Sequence, residues 1–167
     1  MLDFSARASP SLRNPTSFCY KSLLFGELLQ VAIAICENKY LKDFLQENDT
    51  VYHFYGSWES PNLGLLTIAG ETPEDVDLTF IDEDHGQIID FDAGYDLVCI
   101  TGMTQQANRA YEIAAEFRIR NTYVAMGGIH ASILQAEAAN HVDTVLVGEG
   151  ERIWPQFLQD FKNGTPK

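Results

Sequence analysis

The stretch Leu97–Met126, LVCITGMTQQANRAYEIAAEFRIRNTYVAM, decides the fold. Leu97 to Thr101 is an apolar and β-branched run, the pattern of a strand buried on both faces. Thr104 stands where a helix cap is expected, and the helix it opens runs to about Arg120. Ala107, Ala110, Ala114 and Phe117 recur at helical spacing and form its inward stripe. Tyr123 to Met126 is a second buried strand. A strand, a helix and a strand in so short a span make a right-handed crossover between parallel neighbours.

The same alternation continues outward. Downstream the sequence predicts a short helix over roughly Ser132–Ala139, a strand over Val142–Val147 and a helix over Glu151–Phe161. In the last, Ile153, Trp154, Phe157, Leu158 and Phe161 repeat at helical spacing as core residues, and Asn163-Gly164 ends it. Upstream, Val76–Asp82 alternates Val76, Leu78 and Phe80 as a strand, after a turn at residues 71–75. A helix over Asn62–Gly70 precedes it, with Asn62 as N-cap. The first strand has two candidates: the apolar run at 29–36, which is favoured, and Thr50 to Tyr55. Residues 38–47 read as helical, with Tyr40, Leu41, Phe44 and Leu45 on one face. The expectation is an α/β domain over 28–164, a doubly wound parallel sheet of five strands in the order 2-1-3-4-5. That is the flavodoxin-like, or Rossmann-like, arrangement. Residues 1–27 read as an irregular arm and 165–167 as a tail.

Composition narrows the partners. The chain has 167 residues, 46% hydrophobic and 21% charged, with a net charge of −13. Nucleic acids and anionic membranes attract clustered Lys and Arg, so neither is an expected partner. No apolar run reaches the roughly 18 residues that a membrane span needs. Cys19, Cys36 and Cys99 form neither a disulfide framework nor a zinc pattern, and a reducing cytoplasm is the expected setting. No Cys-x-x-x-Cys-x-x-Cys triplet is present to hold an iron–sulfur cluster. Ser5 to Ser22 carries Arg7, Arg13 and Lys21 without an acid, which also suits a transit peptide, although a loose arm is favoured.

Such sheets bind ligands at the carboxyl ends of their strands. Loops fall there after the third strand (Thr101-Gly102-Met103-Thr104), the fourth (Gly127-Gly128-Ile129-His130) and the fifth (Gly148-Glu149-Gly150-Glu151). Glycine lets a ligand approach the backbone closely, so a broad ligand across this rim would touch every one of them. The competing reading is that the glycines only turn the chain. No Gly-x-Gly-x-x-Gly follows a strand and no Walker sequence occurs, which disfavours dinucleotides and nucleoside triphosphates. A signalling receiver would need an Asp ending the third strand, where Thr101 stands, and a Lys after the fifth, where Gly148 stands. A flavin carrier would show a Ser/Thr phosphate loop, which Cys36-Glu37-Asn38-Lys39 is not.

Several stretches together resemble the cobalamin-binding domain found at the front of radical S-adenosylmethionine (radical SAM) enzymes. Asn62-Leu63-Gly64-Leu65-Leu66 is similar to that family's Pro-Leu-Gly-Leu-Leu helix start, and Phe80-Ile81-Asp82-Glu83 to its second strand. Asp96 to Thr104 resembles its third strand and loop, and Arg109 to Ala114 the helix that follows. Gly127-Gly128-Ile129-His130 resembles its Gly-Gly-Pro-His loop, and Val147 to Glu151 its closing Gly-Glu-Gly-Glu. The likeness covers about residues 60–162, with Ile129 and Gln135 standing where proline is usual.

The resemblance implies a cobalamin, hence a metal, held against a radical SAM barrel, in many members for methyl transfer. It implies that Thr101, Gly102, Met103, Thr104, Gly127, Gly128, His130, Gly148, Glu149 and Gly150 bind the nucleotide tail and corrin edge. The barrel does not follow in this sequence, so it would act in cis in a longer chain or in trans. This chain alone then carries no catalytic residue, and a degenerate, ligand-free scaffold is the alternative.

The histidines add little to this. Mutase-type carriers ligate cobalt from Asp-x-His-x-x-Gly, whereas Asp82-Glu83-Asp84-His85-Gly86 has other spacing and follows the second strand. His85 therefore reads as a turn residue, and the expected cobalamin lacks a His ligand from that motif. His130 reads mainly as bonding its own loop, His141 as a helix-end residue, and His53 as a minor ligand candidate. Asp82, Glu83 and Asp84 read as a solvated strand end. Glu149 sits where a helix N-terminus stabilises a carboxylate. Tyr52, Phe54, Tyr55 and Trp58 suit either a ligand cover or a core edge.

Overall fold

A computed structural model describes residues 28–36 and 63–166. Its elements run β1 (Leu29–Ile35), α1 (Leu63–Gly70), β2 (Val76–Asp82), β3 (Leu97–Thr101), a 3-10 turn (Thr104–Gln106), α2 (Ala107–Ile119), β4 (Tyr123–Gly127), α3 (Gly128–Ile133), α4 (Gln135–Ala138), β5 (Thr144–Val145) and α5 (Gly150–Lys162). The strands form one sheet in the order β2-β1-β3-β4-β5. Every pairing is parallel, with Ile35 opposite both Asp82 and Thr101, and Thr101 opposite Gly127. This is the flavodoxin-like α/β fold. The favoured first strand is the observed one, while the competing strand at 50–55, the helix at 38–47, His53 and the nearby aromatics lie outside the described residues.

Alternation along the strands builds two cores, because successive side chains point to opposite faces. Ala32, Ala34, Val98, Ile100, Val124 and Met126 pack against Ala110, Ile113, Ala114 and Phe117 of α2. Val31, Ile33, Leu97, Cys99 and Ala125 pack against Leu65 of α1 and Trp154, Phe157, Leu158 and Phe161 of α5. At the amino ends, Asp96 and Asp143 accept the backbone N–H of Gln30 and Val124, each at 3.0 Å. Acceptors at these positions satisfy donors that the sheet leaves open. Among the described residues no helix is long and apolar enough to cross a membrane.

Several boundaries depart from expectation. Thr104 does not cap the α-helix; it opens the 3-10 turn, and α2 begins at Ala107. The turn is closed instead by Gln106, whose Oε1 accepts the Met103 N–H at 2.7 Å. Gly-Gly-Ile-His is not a loop ahead of a helix, since Gly128, at φ +88°, turns the chain directly from β4 into α3. The helix then breaks at Leu134 and resumes as α4. Ile129 and Gln135 therefore both sit in a first helical turn, where proline and other residues serve equally. The last strand keeps only Thr144–Val145, although Asp143 N–H and Leu146 N–H still bond Val124 and Met126 carbonyls at 2.8 Å. An edge strand with one partner loses its ladder first at the ends.

Candidate functional site

A cavity of about 560 Å³ opens at the carboxyl ends of β3 and β4, on the face covered by α1 and α5. Strand alternation decides what reaches it. Cys99, Thr101 and Gly127 lie on this face, whereas Ile100 and Met126 belong to the core under α2. Leu65 and Ile68, one helical turn apart on α1, form one wall, and Ile153 and Trp154 of α5 form the opposite one. Leu146 and Cys99 close the base, and burial pushes the Cys99 thiol up to about 12, so it stays a neutral group.

The expected site residues divide between the two faces. Thr101, Gly127, Gly128, Gly148, Glu149 and Gly150 line the cavity. Gly102, Met103 and Thr104 continue from β3 into the turn that leads to α2, and they do not line it. His130 is fully buried on the α2 side, with Nε2 at 2.7 Å from the Tyr111 hydroxyl and its backbone N–H 3.4 Å from the Gly102 carbonyl. The Tyr111 hydroxyl also donates to Glu137 at 3.1 Å, and His141 stacks on the Tyr111 ring at 3.8 Å.

Close approach of the backbone at the rim depends on glycine. A side chain at Gly128 would run into the Thr101 hydroxyl, and its φ of +88° already disfavours one. Gly148 has φ +109°, and a Cβ at Gly150 would meet Ile68 at 3.1 Å. Ser132 ties α3 to the last rim loop by accepting the Gly148 N–H at 3.3 Å. The only charged side chains in the lining, among the described residues, are the carboxylates of Glu149 and Glu151 at the exposed mouth. A phosphate-rich ligand finds no cation there, while amide N–H groups find acceptors.

The acidic end of β2 is not solvated as the sequence suggested: Asp82 and Glu83 are buried. Asp82 meets the His85 Nδ1 at 2.7 Å, and Glu83 accepts two bonds from the Arg109 guanidinium at 2.7 and 3.2 Å. The hydrogen bonding that Arg109 donates to Glu83 raises its guanidinium above its ordinary value. Burial and then Glu83 push the neighbouring Cys36 thiol up. Gln106 knits this corner, donating to the Cys36 carbonyl at 2.6 Å and to Asp84 at 3.2 Å. Among the described residues no group of three His, Cys, Asp or Glu could hold a metal ion.

Sequence reasoning did not find Gly64, Leu65, Ile68, Ser132, Ile153 or Trp154 as lining. The spacing showed that they share helix faces, but it did not show that a gap would remain between those faces and the sheet.

The cavity's volume is that of small-molecule pockets, roughly 300–1,000 Å³, and glycine backbone at Gly127, Gly128, Gly148 and Gly150 makes up part of its rim. A family model described as the B12 binding domain matches residues 57–158. Bacteriochlorophyllide d C-8(2)-methyltransferase of Chlorobaculum tepidum is 43% identical over 105 residues, covering 63% of this chain and 23% of that protein. The C-12(1)-methyltransferase of the same organism is 36% identical over 106 residues, again 63% of this chain and 23% of the relative. An uncharacterized methyltransferase of Synechocystis sp. is 28% identical over 106 residues, covering 62% of this chain and 20% of that protein. The chain thus spans less than a quarter of the length of these relatives. No solved structure matches it.

Proposed function

Because the chain belongs to the B12-binding domain family, we propose that it is a cobalamin carrier working with a radical SAM barrel, in cis or in trans, in methyl transfer. The observation that carries this reading is the apolar cavity opening beneath glycine-built rim loops. The space between α1 and α5 would hold the nucleotide tail, and the rim loops would meet the corrin edge. Cobalamin supplies alkyl-carrying and redox chemistry at its cobalt when bound.

The chain's own residues bind, orient and exclude water. Gly127, Gly128, Gly148 and Gly150 let the ligand edge approach the backbone, and the Thr101 hydroxyl and Glu149 carboxylate accept its amide N–H groups. Leu65, Ile68, Leu146 and Trp154 strip water from the tail. Gly102, Met103, Thr104 and His130 act behind the rim by shaping the loops. His85 is paired to Asp82 on the β2 turn, outside the cavity lining, which supports a cobalamin held without a histidine from an Asp-x-His-x-x-Gly motif. The buried free thiols Cys36 and Cys99 suit a reducing cytoplasm. The relatives' names and their greater length support the methyl-transfer reading and the further domain.

Purified protein mixed with hydroxocobalamin and desalted should retain corrinoid absorbance at close to one equivalent per chain. A colourless protein would overturn the carrier reading in favour of a ligand-free scaffold.

A further inference from the structure

We propose that the cavity discriminates among cobamides by their lower base, accepting an apolar benzimidazole and rejecting a purine. The inference rests on the reading that this cavity takes the nucleotide tail. Its basis is the distribution of polar atoms along the lining. The groups that can bond a ligand, Thr101, Ser132, Glu149, Glu151 and the glycine backbones, stand at the partly or fully exposed mouth. The buried lining is apolar: Leu65 is 2% exposed, Cys99 3%, Leu146 9% and Trp154 0%.

The polar atoms that occur at depth are already engaged or weak. Trp154 Nε1 donates to the Thr72 hydroxyl at 2.9 Å, so the indole offers the cavity ring carbon. Cys99 holds its proton, and a neutral thiol is a weak hydrogen-bonding group. Among the described residues, then, the buried lining has no strong side-chain donor or acceptor for a guest.

A dimethylbenzimidazole freed from cobalt carries one open ring nitrogen and otherwise buries hydrocarbon and π-face. Adenine brings two further ring nitrogens and an amino group. Each would leave water for a site without a partner, and a single unsatisfied buried group weakens binding by roughly tenfold or more. Discrimination against the base that carries extra polar groups is therefore built into the floor.

The test measures equilibrium binding of the full chain to cobalamin, to the cobamide bearing adenine, and to cobinamide, which has no tail. Tryptophan fluorescence quenching and retained corrinoid absorbance are the readouts. Each affinity is corrected for the base-off fraction of the free corrinoid, since only that fraction presents its base. The expected result is cobalamin tighter than the adenine form by about tenfold or more, with cobinamide weaker than cobalamin. Ile68→Gln, which puts an amide on the cavity wall, should narrow the ratio between the two bases while leaving the circular dichroism unchanged. Equal binding of both bases overturns the inference and leaves the carrier reading standing. Cobinamide binding as tightly as cobalamin removes the tail from the cavity and overturns it too, as does a ratio that Ile68→Gln leaves untouched. Failure of all corrinoids to bind defeats the carrier reading itself.

Discussion

Gln106 joins the ends of three strands through one amide. It accepts from Met103, donates to the carbonyl of Cys36, and reaches Asp84. Removing a buried, satisfied amide strands its partners, so Gln106→Ala should lower the unfolding free energy by about 1–3 kcal/mol in urea titration. Gln106→Glu should not restore it, because a carboxylate cannot donate to Cys36 and faces Asp84. Gly128→Ala sets a side chain against Thr101 in a left-handed backbone, and a loss of about 1–3 kcal/mol is expected together with weaker corrinoid retention. Tyr111 adds a pH signature. Burial, and then Glu137, pushes its hydroxyl up from 10.0 to about 12. A raised folded value means stability that is intact below the unfolded value and drains away as pH climbs toward the folded one. Alkaline denaturation between about pH 10 and 12 should therefore be shallower in Tyr111→Phe than in the parent. The pairing of Glu83 with Arg109 was not legible in the sequence. The partner is 26 residues away, and nothing local says that an acidic strand end will turn inward.

Among the elements, those paired along their whole length were the most legible. β3, with a partner on each side, begins and ends where its apolar pattern does, and so does β2, an edge strand whose seven residues all pair with β1. β5 is shorter than its apolar run because only Ala125 and Met126 of β4 pair with it, a tertiary fact that no window of residues contains. The break between α3 and α4 was hidden for a related reason. It depends on Leu134 leaving helical geometry, and leucine is a good helix former. That break places Gln135 at the first position of α4, where a backbone N–H has no helical partner. Gln135→Pro should accordingly change stability by less than about 1 kcal/mol by thermal melting, whereas proline in the middle of α2 should cost about 3 kcal/mol or more.

For the whole molecule, the strand order brings every rim loop to one edge, and this much the sequence conveyed through the alternation of elements. It did not convey that the cavity would occupy only the α1 and α5 side. That outcome follows from the gap that α1 and α5 leave over Cys99, Thr101 and Gly127, on the opposite face from Val98, Ile100 and Met126, which α2 covers. Phe117 belongs to α2, on the face of the sheet away from the cavity. Phe117→Leu should lower stability by about 1 kcal/mol and leave corrinoid affinity unaltered, measured by denaturation and by fluorescence titration on the same preparation.

Leu97, Cys99 and Thr101 look one way from β3, and Val98 and Ile100 look the other. Neighbouring letters of a five-residue word thus answer to different masters: Cys99 and Thr101 to the cavity, Val98 and Ile100 to the packing under α2, and Leu97 to the core beneath α5. The cavity wall can change at one set of positions while the other holds the chain folded, so a new lining need not begin with a loss of structure.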